Sequence, residues 1–481
     1  MKVLFAALLL LCCTPWPPAL AQAYQPRLEL AACPVKYDAR LVVKYGYLVV
    51  PENRRLPQRR SIKIPFLFVR RPTQDARRLV SLFSTGGPGY STTANLDSIG
   101  YQSGLLKYGG VVLFDQRGTR RAQPCLDCPA VDEAIRRSYR TGLNKDSLAL
   151  AAVRNCRQRL SRQGIDLSAY TTLESAEDIN DLRRALHLDS LNLIGISYSG
   201  GLMLTVARTH PEAVRSLVLN SPLPGYTRYE EEGLLNINEA LEQALARGEA
   251  DSVAHPAYRQ LRNRFRAYFT ALTGKKFALR YLEKGTRDSL QLTYTKNELL
   301  DAVVSRLTTD QVATVPLVVS DLLQGRHAAY VREQVDAAFA GDPALALGMR
   351  YSVYCTEQLA YARPAVEKRQ GQVLPWLAGY PFNNVTHALC SCWNVQPAPL
   401  AVKVPIYSAV PALLAAGDID PWCRPFYNQL IKRYLPNSQL LTWQNQGHAP
   451  GFATQEVDYL QLFLAHPYQP LRVAAPGLRL E

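Results

Sequence analysis

Three short stretches hold the residues that could do chemistry: Ser197 in "LNLIGISYSG" (residues 191–200), Asp420 in "GDIDP" (417–421) and His448 in "QGHAPG" (446–451). A serine hydroxyl is a weak nucleophile until a neighbouring base takes its proton, and an imidazole can do that near neutral pH. A carboxylate then holds the imidazole in one tautomer and stabilises its charged form. The chemistry open to such a set is acyl transfer through an acyl-serine. Asp418 is the rival acid in "GDID"; Asp420 is preferred because it stands directly before Pro421, where the chain must leave its strand.

Side chains so far apart in the chain can meet only if repeated elements bring them to one place. Leu191, Leu193, Ile194 and Ile196 form a short apolar run that stops at Gly-x-Ser, the pattern of a buried strand entering a tight turn. "VPALLAAGDIDPW" (410–422) and "SQLLTWQNQGHAPG" (438–451) repeat that design, as do "RLVSLFSTGGPG" (78–89) and "GGVVLFDQRG" (109–118). "RLVVKYGYLVVPEN" (40–53) and "SIKIPFLFVRR" (61–71) read as a hairpin. Segments with helical spacing, such as "LESAEDINDLRRALHLDS" and "GGLMLTVARTHPEAV", alternate with the later strands. Strands alternating with helices predict an α/β core with a mostly parallel sheet, and sites in such sheets form at the carboxyl ends of the strands.

The chain order serine, acid, histidine is that of α/β-hydrolases, whose nucleophile sits on a sharp strand-to-helix elbow. Small residues let the elbow close: Gly195 is in place, the second small position is Ser199, and Gly200 follows. One oxyanion donor is expected to be the backbone N–H of Tyr198, the other that of Gly87 in "TGGPG" (85–89). No Gly-Lys-Ser/Thr follows those glycines, so the loop is not read as a phosphate cradle and no cofactor is expected.

From 223 to 399 the pattern changes to long amphipathic helices, among them "EEEGLLNINEALEQALARG", "AYRQLRNRFRAYFTALTG" and "KNELLDAVVSRL", with no convincing strand pattern between them. This middle block is read as a helical cap inserted into a core built from residues 22–222 and 400–481. Glu230, Glu231 and Glu232 are read as the solvated start of a helix.

A basic start, a short apolar run and "ALA" at 19–21 make residues 1–21 a secretory signal peptide, too short to span a membrane. An exported, soluble protein of the periplasm or the extracellular space is expected. Eight of the ten cysteines lie beyond that segment, an even number that favours disulfides in an oxidising compartment. "CLDC" (125–128) as a redox dithiol and "HALCSC" (387–392) as a metal site each lack a second half, so no metal is expected. The net charge of +15 is spread along the chain and reads as a basic surface, with no nucleic-acid partner.

Together, "GGPG" (86–89), "DQRG" (115–118), "GISYSG" (195–200), "GDIDP" (417–421) and "QGHAP" (446–450) resemble the proline iminopeptidase and tripeptidyl aminopeptidase group of α/β-hydrolase serine peptidases. The resemblance spans roughly 40–222 and 400–465. It implies a helical cap that shapes the substrate pocket and release of residues or short peptides from a free N-terminus. Thr85 stands where the group commonly has His, and Ser199 where it has Gly. "YSVYCTEQ" (351–358) is similar to a Cys-x-Glu segment of the tripeptidyl members, which makes Glu357 the candidate for holding the substrate ammonium. Two other readings stand beside this one: a carboxylesterase or lipid-type hydrolase on the same triad, and an inactive hydrolase fold kept for binding.

Overall fold

The computed structural model describes residues 24–94, 96–286 and 288–481. The expected signal peptide lies outside the described residues. A ten-stranded sheet organises the core, and its strands in chain order are β1 (Arg27–Leu30), β2 (Val42–Pro51), β3 (Ser61–Arg70), β4 (Val80–Ser84), β5 (Val111–Phe114), β6 (Leu191–Ile196) and β7 (Val214–Asn220), then, after the middle block, β10 (Ala412–Gly417), β11 (Ser438–Trp443) and β12 (Leu478–Leu480). Their spatial order is β1-β2-β3-β5-β4-β6-β7-β10-β11-β12. The six strands from β5 to β11 run parallel, while β1–β2, β2–β3, β3–β5 and β11–β12 pair antiparallel. The central runs are apolar at nearly every position because helices cover both faces of the sheet.

Register does the positioning. Ser84 pairs with Gly195, Ile196 with Asn220, Asn220 with Ala415, and Gly417 with Trp443. The ends of β4, β6, β7, β10 and β11 therefore lie along one rim, and the loops that follow carry Gly86–Gly87, Ser197, Ser221, Asp420 and His448.

The "DQRG" turn after β5 is a clamp for this rim. Asp115 accepts hydrogen bonds from Ser91 Oγ (2.9 Å), Thr93 Oγ1 (2.7 Å) and the backbone N–H groups of Thr92 and Thr93, which fixes the chain just beyond "GGPG". Gln116 Nε2 donates to Thr85 O at 3.0 Å. Arg117, fully buried, forks onto Asp178 with two 2.7 Å bonds and also donates to Glu52 O and Ala169 O. Arg54 grips Glu174, Asp178 and Asp181 on the same helix, Thr172–Ala185. A buried guanidinium is tolerable only with its charge and donors matched in this way.

Between β7 and β10 the chain is mostly helical, with a core of its own around Ile237, Leu241, Phe265, Leu300 and Val319. One hairpin interrupts the helices: β8 (Phe277–Leu282) pairs antiparallel with β9 (Ser289–Tyr294). Its alternation, with Tyr281, Leu292 and Tyr294 inward and polar residues between, is a period-two signal that the surrounding amphipathic helices obscure.

The three glutamates at 230–232 depart from the solvated reading. Successive helix residues point about 100° apart, so a run of three cannot share one wet face once a helix is packed on several sides. Glu230 and Glu231 are buried; Glu231 is forked by Arg363, whose hydrogen bonds hold its carboxyl down at about 2, and Glu232 accepts from the Tyr427 hydroxyl at 2.5 Å.

Among the described residues, disulfides join Cys128 to Cys156 and Cys355 to Cys390, leaving Cys33, Cys125, Cys392 and Cys423 as thiols. "CLDC" is thus divided between a bridge to another helix and a free thiol. In "HALCSC", Cys390 is bridged and His387 is bonded to Glu367 at 2.8 Å. Among the described residues no helix is long and apolar enough to cross a membrane.

Candidate active site

Ser197 sits between β6 and the helix Tyr198–Thr209 with φ 57° and ψ −125°, a backbone conformation that costs a non-glycine residue about 1–3 kcal/mol. The neighbours impose it. A Cβ on Gly195 would lie 2.7 Å from Ser199 O, and one on Gly200 would lie 2.5 Å from Pro222 Cβ, so both positions must be glycine for the elbow to fold this tightly. Ser199, in place of a third glycine, is used structurally: its Oγ accepts from Ile196 N (2.8 Å) and donates to Ser84 O (2.6 Å), tying the elbow to the end of β4.

Tyr198 contributes the first amide of that helix, which has no carbonyl partner within the helix. Its ring turns away from the serine: the Tyr198 hydroxyl lies 2.8 Å from Thr172 Oγ1. The glycine loop closes over the elbow, since a Cβ on Gly86 would come within 3.0 Å of Ser197 Cβ and 3.4 Å of Tyr198 N. Gly87 follows with φ 118°, and Arg350 Nη1 anchors the loop by donating to Gly87 O at 2.8 Å.

Asp420 and His448 meet across the ends of β10 and β11. Their Oδ2 and Nδ1 are 2.8 Å apart, and the carboxylate is inaccessible to solvent. Asp420 Oδ1 accepts from the backbone N–H groups of Trp422 (2.9 Å) and Cys423 (2.8 Å). Burial penalises its charge, but the adjacent imidazole and the bonds from Cys423 and Ser221 outweigh that and hold it below the usual carboxylate range. Asp418 accepts from Gln446 N at 3.3 Å and braces the histidine loop without reaching the ring. His448 packs edge-on against Trp422 with ring centroids 5.3 Å apart. The middle block holds this loop from outside: His448 N donates to Leu307 O (3.1 Å), and Thr309 Oγ1 donates to His448 O (3.1 Å). Gly447 permits that approach, because a Cβ there would be 2.1 Å from Leu307 O.

Among the described residues, Ser197 Oγ makes no hydrogen bond to His448; its near neighbour is Cys423 Sγ at 3.8 Å.

Glu357 departs from its expected place. It sits in a π-helical turn, Tyr354–Gln358, fully buried against the start of the helix Thr172–Ala185. Both carboxylate oxygens are taken, Oε1 by Thr172 N and Oε2 by Thr172 Oγ1, each at 2.6 Å. Burial pushes its pKa up, against the opposing pull of the two Thr172 bonds, Lys403 and Arg208. A negative group at a helix N-terminus is stabilised there, and this one caps a helix instead of awaiting an ammonium.

Two acids, Glu230 and Glu367, face open space, and Glu230 is the buried one. It lines a cavity of about 650 Å³ with Leu234, Glu367, Tyr380, Phe382 and Asn383. Its carboxyl accepts from Asn383 Nδ2, and burial pushes its pKa up to about 8. Arg350 links the cavity to the glycine loop, donating to both Asn383 O (3.2 Å) and Gly87 O (2.8 Å). The "EEE" run gave no indication of which glutamate would meet the cavity.

The model of the α/β hydrolase fold family matches residues 86–452, and the chain belongs to that family. Among characterised proteins it is similar to tripeptidyl aminopeptidases of Streptomyces lividans and Streptomyces coelicolor, each 25% identical over 215 residues, 42% of this chain. The matched region spans 40% and 39% of those relatives. Among solved structures, an epoxide hydrolase of Bacillus megaterium aligns with 80% of this chain and 91% of its own at 14% identity and a TM-score of 0.34.

Proposed function

We propose that this hydrolase is an exported serine peptidase that removes residues or short peptides from the free N-terminus of its substrates. The observation that carries the reading is Ser197, held at positive φ on one rim with the buried Asp420–His448 pair. On this reading Ser197 Oγ attacks the scissile carbonyl carbon while His448 takes its proton. The N–H groups of Tyr198 and Gly87 receive the oxyanion, and His448 returns the proton to the leaving amine. Water then repeats the sequence on the acyl-serine. Asp420 orients the imidazole throughout.

The preference for a free N-terminus is supported by the buried carboxyl of Glu230 on the cavity wall and by the tripeptidyl aminopeptidase relatives. Residues 223–399 act as the cap that shapes this pocket, and an ammonium group beside Glu230 would form a charge-assisted hydrogen bond. The two disulfides suit an oxidising compartment.

The test pairs the protein with its Ser197→Ala variant on aminoacyl and tripeptidyl amides, with free and blocked N-termini, and on short-chain esters. Cleavage of free-amine amides that vanishes in the variant and on blocking is expected. Ester turnover alone would reassign the protein as a carboxylesterase, and undiminished turnover by the variant would remove Ser197 as nucleophile.

A further inference from the structure

Among the described residues Cys423 is a buried thiol with no disulfide partner, and its setting is unusual. Its sulfur lies 3.8 Å from Ser197 Oγ, and one ligand atom each from Asp420, Cys423 and His448 lie within 4.8 Å of one another. Thiolate, imidazole and carboxylate are the donor types that bind Zn²⁺ and similar ions, with bonds of about 2.0–2.3 Å and ligand atoms roughly 3.4–3.6 Å apart in a tetrahedron. The three side chains need shifts of about an ångström or less to reach that spacing. Ser197 Oγ or a water would supply the fourth position. The approach is through Ser197 and His448, which are both only partly buried, whereas Asp420 and Cys423 are closed off behind them.

We propose that Asp420, Cys423 and His448 form an inhibitory site for a thiophilic divalent cation of the Zn²⁺ class. On binding, the Cys423 S–H bond breaks, its proton leaves to solvent, and an S–metal bond forms; one lone pair each comes from sulfur, an imidazole nitrogen and an Asp420 oxygen. No electron is transferred. Coordination through Nδ1 takes the imidazole from Asp420, and coordination through Nε2 occupies the nitrogen that must receive the Ser197 proton. Either stops acyl transfer. The thiol side chain itself takes no step in the reaction, so the metal acts by capturing the acid and the base together.

The inhibition arm of this proposal rests on the triad reading; the binding arm does not, and the experiment keeps them apart. The probe is Co²⁺ added to chelator-treated protein, followed by absorption in the near ultraviolet, where thiolate-to-cobalt charge transfer appears, and by displacement with Zn²⁺. The expected result is a charge-transfer band of one equivalent that is lost in Cys423→Ala and Cys423→Ser. Hydrolysis by the wild type should fall at least tenfold under micromolar free Zn²⁺ and recover with chelator. Each Cys423 variant, read against its own metal-free rate, should need at least tenfold more Zn²⁺. Two Cys423 variants are used so that a folding defect in one does not decide the outcome. An unchanged band in both variants, or no band in the wild type, overturns the site. A band with undiminished turnover retains the site and instead overturns the triad reading of Asp420 and His448.

Discussion

Replacing Glu230 by glutamine gives a pH-dependent test of what the cavity recognises. Burial raises this carboxyl to about 8, so below that pH it is mostly neutral. Near pH 6 roughly 1% is ionised and near pH 8 about half, by simple titration about that value. A neutral carboxyl and an amide offer an ammonium similar acceptors, whereas the carboxylate adds a charge-assisted bond worth roughly 2 kcal/mol, about 30-fold in affinity. Weighted by ionisation, Glu230→Gln should lower kcat/KM for free-amine substrates less than twofold at pH 6 and about 15-fold at pH 8. Every other group is shared by the two enzymes, so the ratio of their rates isolates position 230. The assay is kcat/KM across that range for a tripeptidyl amide, with a short-chain ester lacking an amine as control. A penalty that is flat in pH, or equal for the ester, would refute Glu230 as the ammonium acceptor.

Further outcomes follow from the same geometry. Asp420→Asn should lower kcat by about 10³–10⁴ through loss of the imidazole tautomer, while Asp418→Asn, which does not touch the ring, should change it far less; steady-state kinetics on both variants separates the two acids. Gly447→Ala places a Cβ against Leu307 O and should cost about 1–3 kcal/mol of stability, with kcat reduced because the His448 loop loses its seat. A thermal scan beside kinetics reads both effects. Arg117→Met leaves Asp178 buried with Arg54 as its remaining partner and should destabilise by roughly 3–5 kcal/mol, seen as a lowered denaturation midpoint.

The candidate residues are legible because each lies at a local signature. An apolar run ending in glycine and a small polar residue reports a buried strand entering a turn, and a parallel sheet brings such ends to one rim whatever the details of packing. That is why the strand ends carrying Ser197, Asp420 and His448 can be read from sequence as meeting on one rim, and why the mostly parallel sheet with "GGPG" and "DQRG" beside it could be anticipated. "DQRG" was legible as a motif but not as a device: nothing local tells Asp115 to bind Ser91–Thr93 or Arg117 to find Asp178.

The middle block shows the limit more sharply. Periodicity states which face of an element is apolar, not which distant element covers it, so the hairpin at 277–294 merged with its helical neighbours. In sequence Glu357 stood out as the ammonium candidate and Glu230 read as part of a solvated helix start. Only packing decided that Thr172 would take both oxygens of the first while the second would face a cavity, and only packing put Cys423 beside Ser197. Local spacing sets backbone direction over a few residues; the partners of a buried charge come from other elements, 61 residues away for Arg117 and 185 for Glu357, whose approach depends on the whole assembled core.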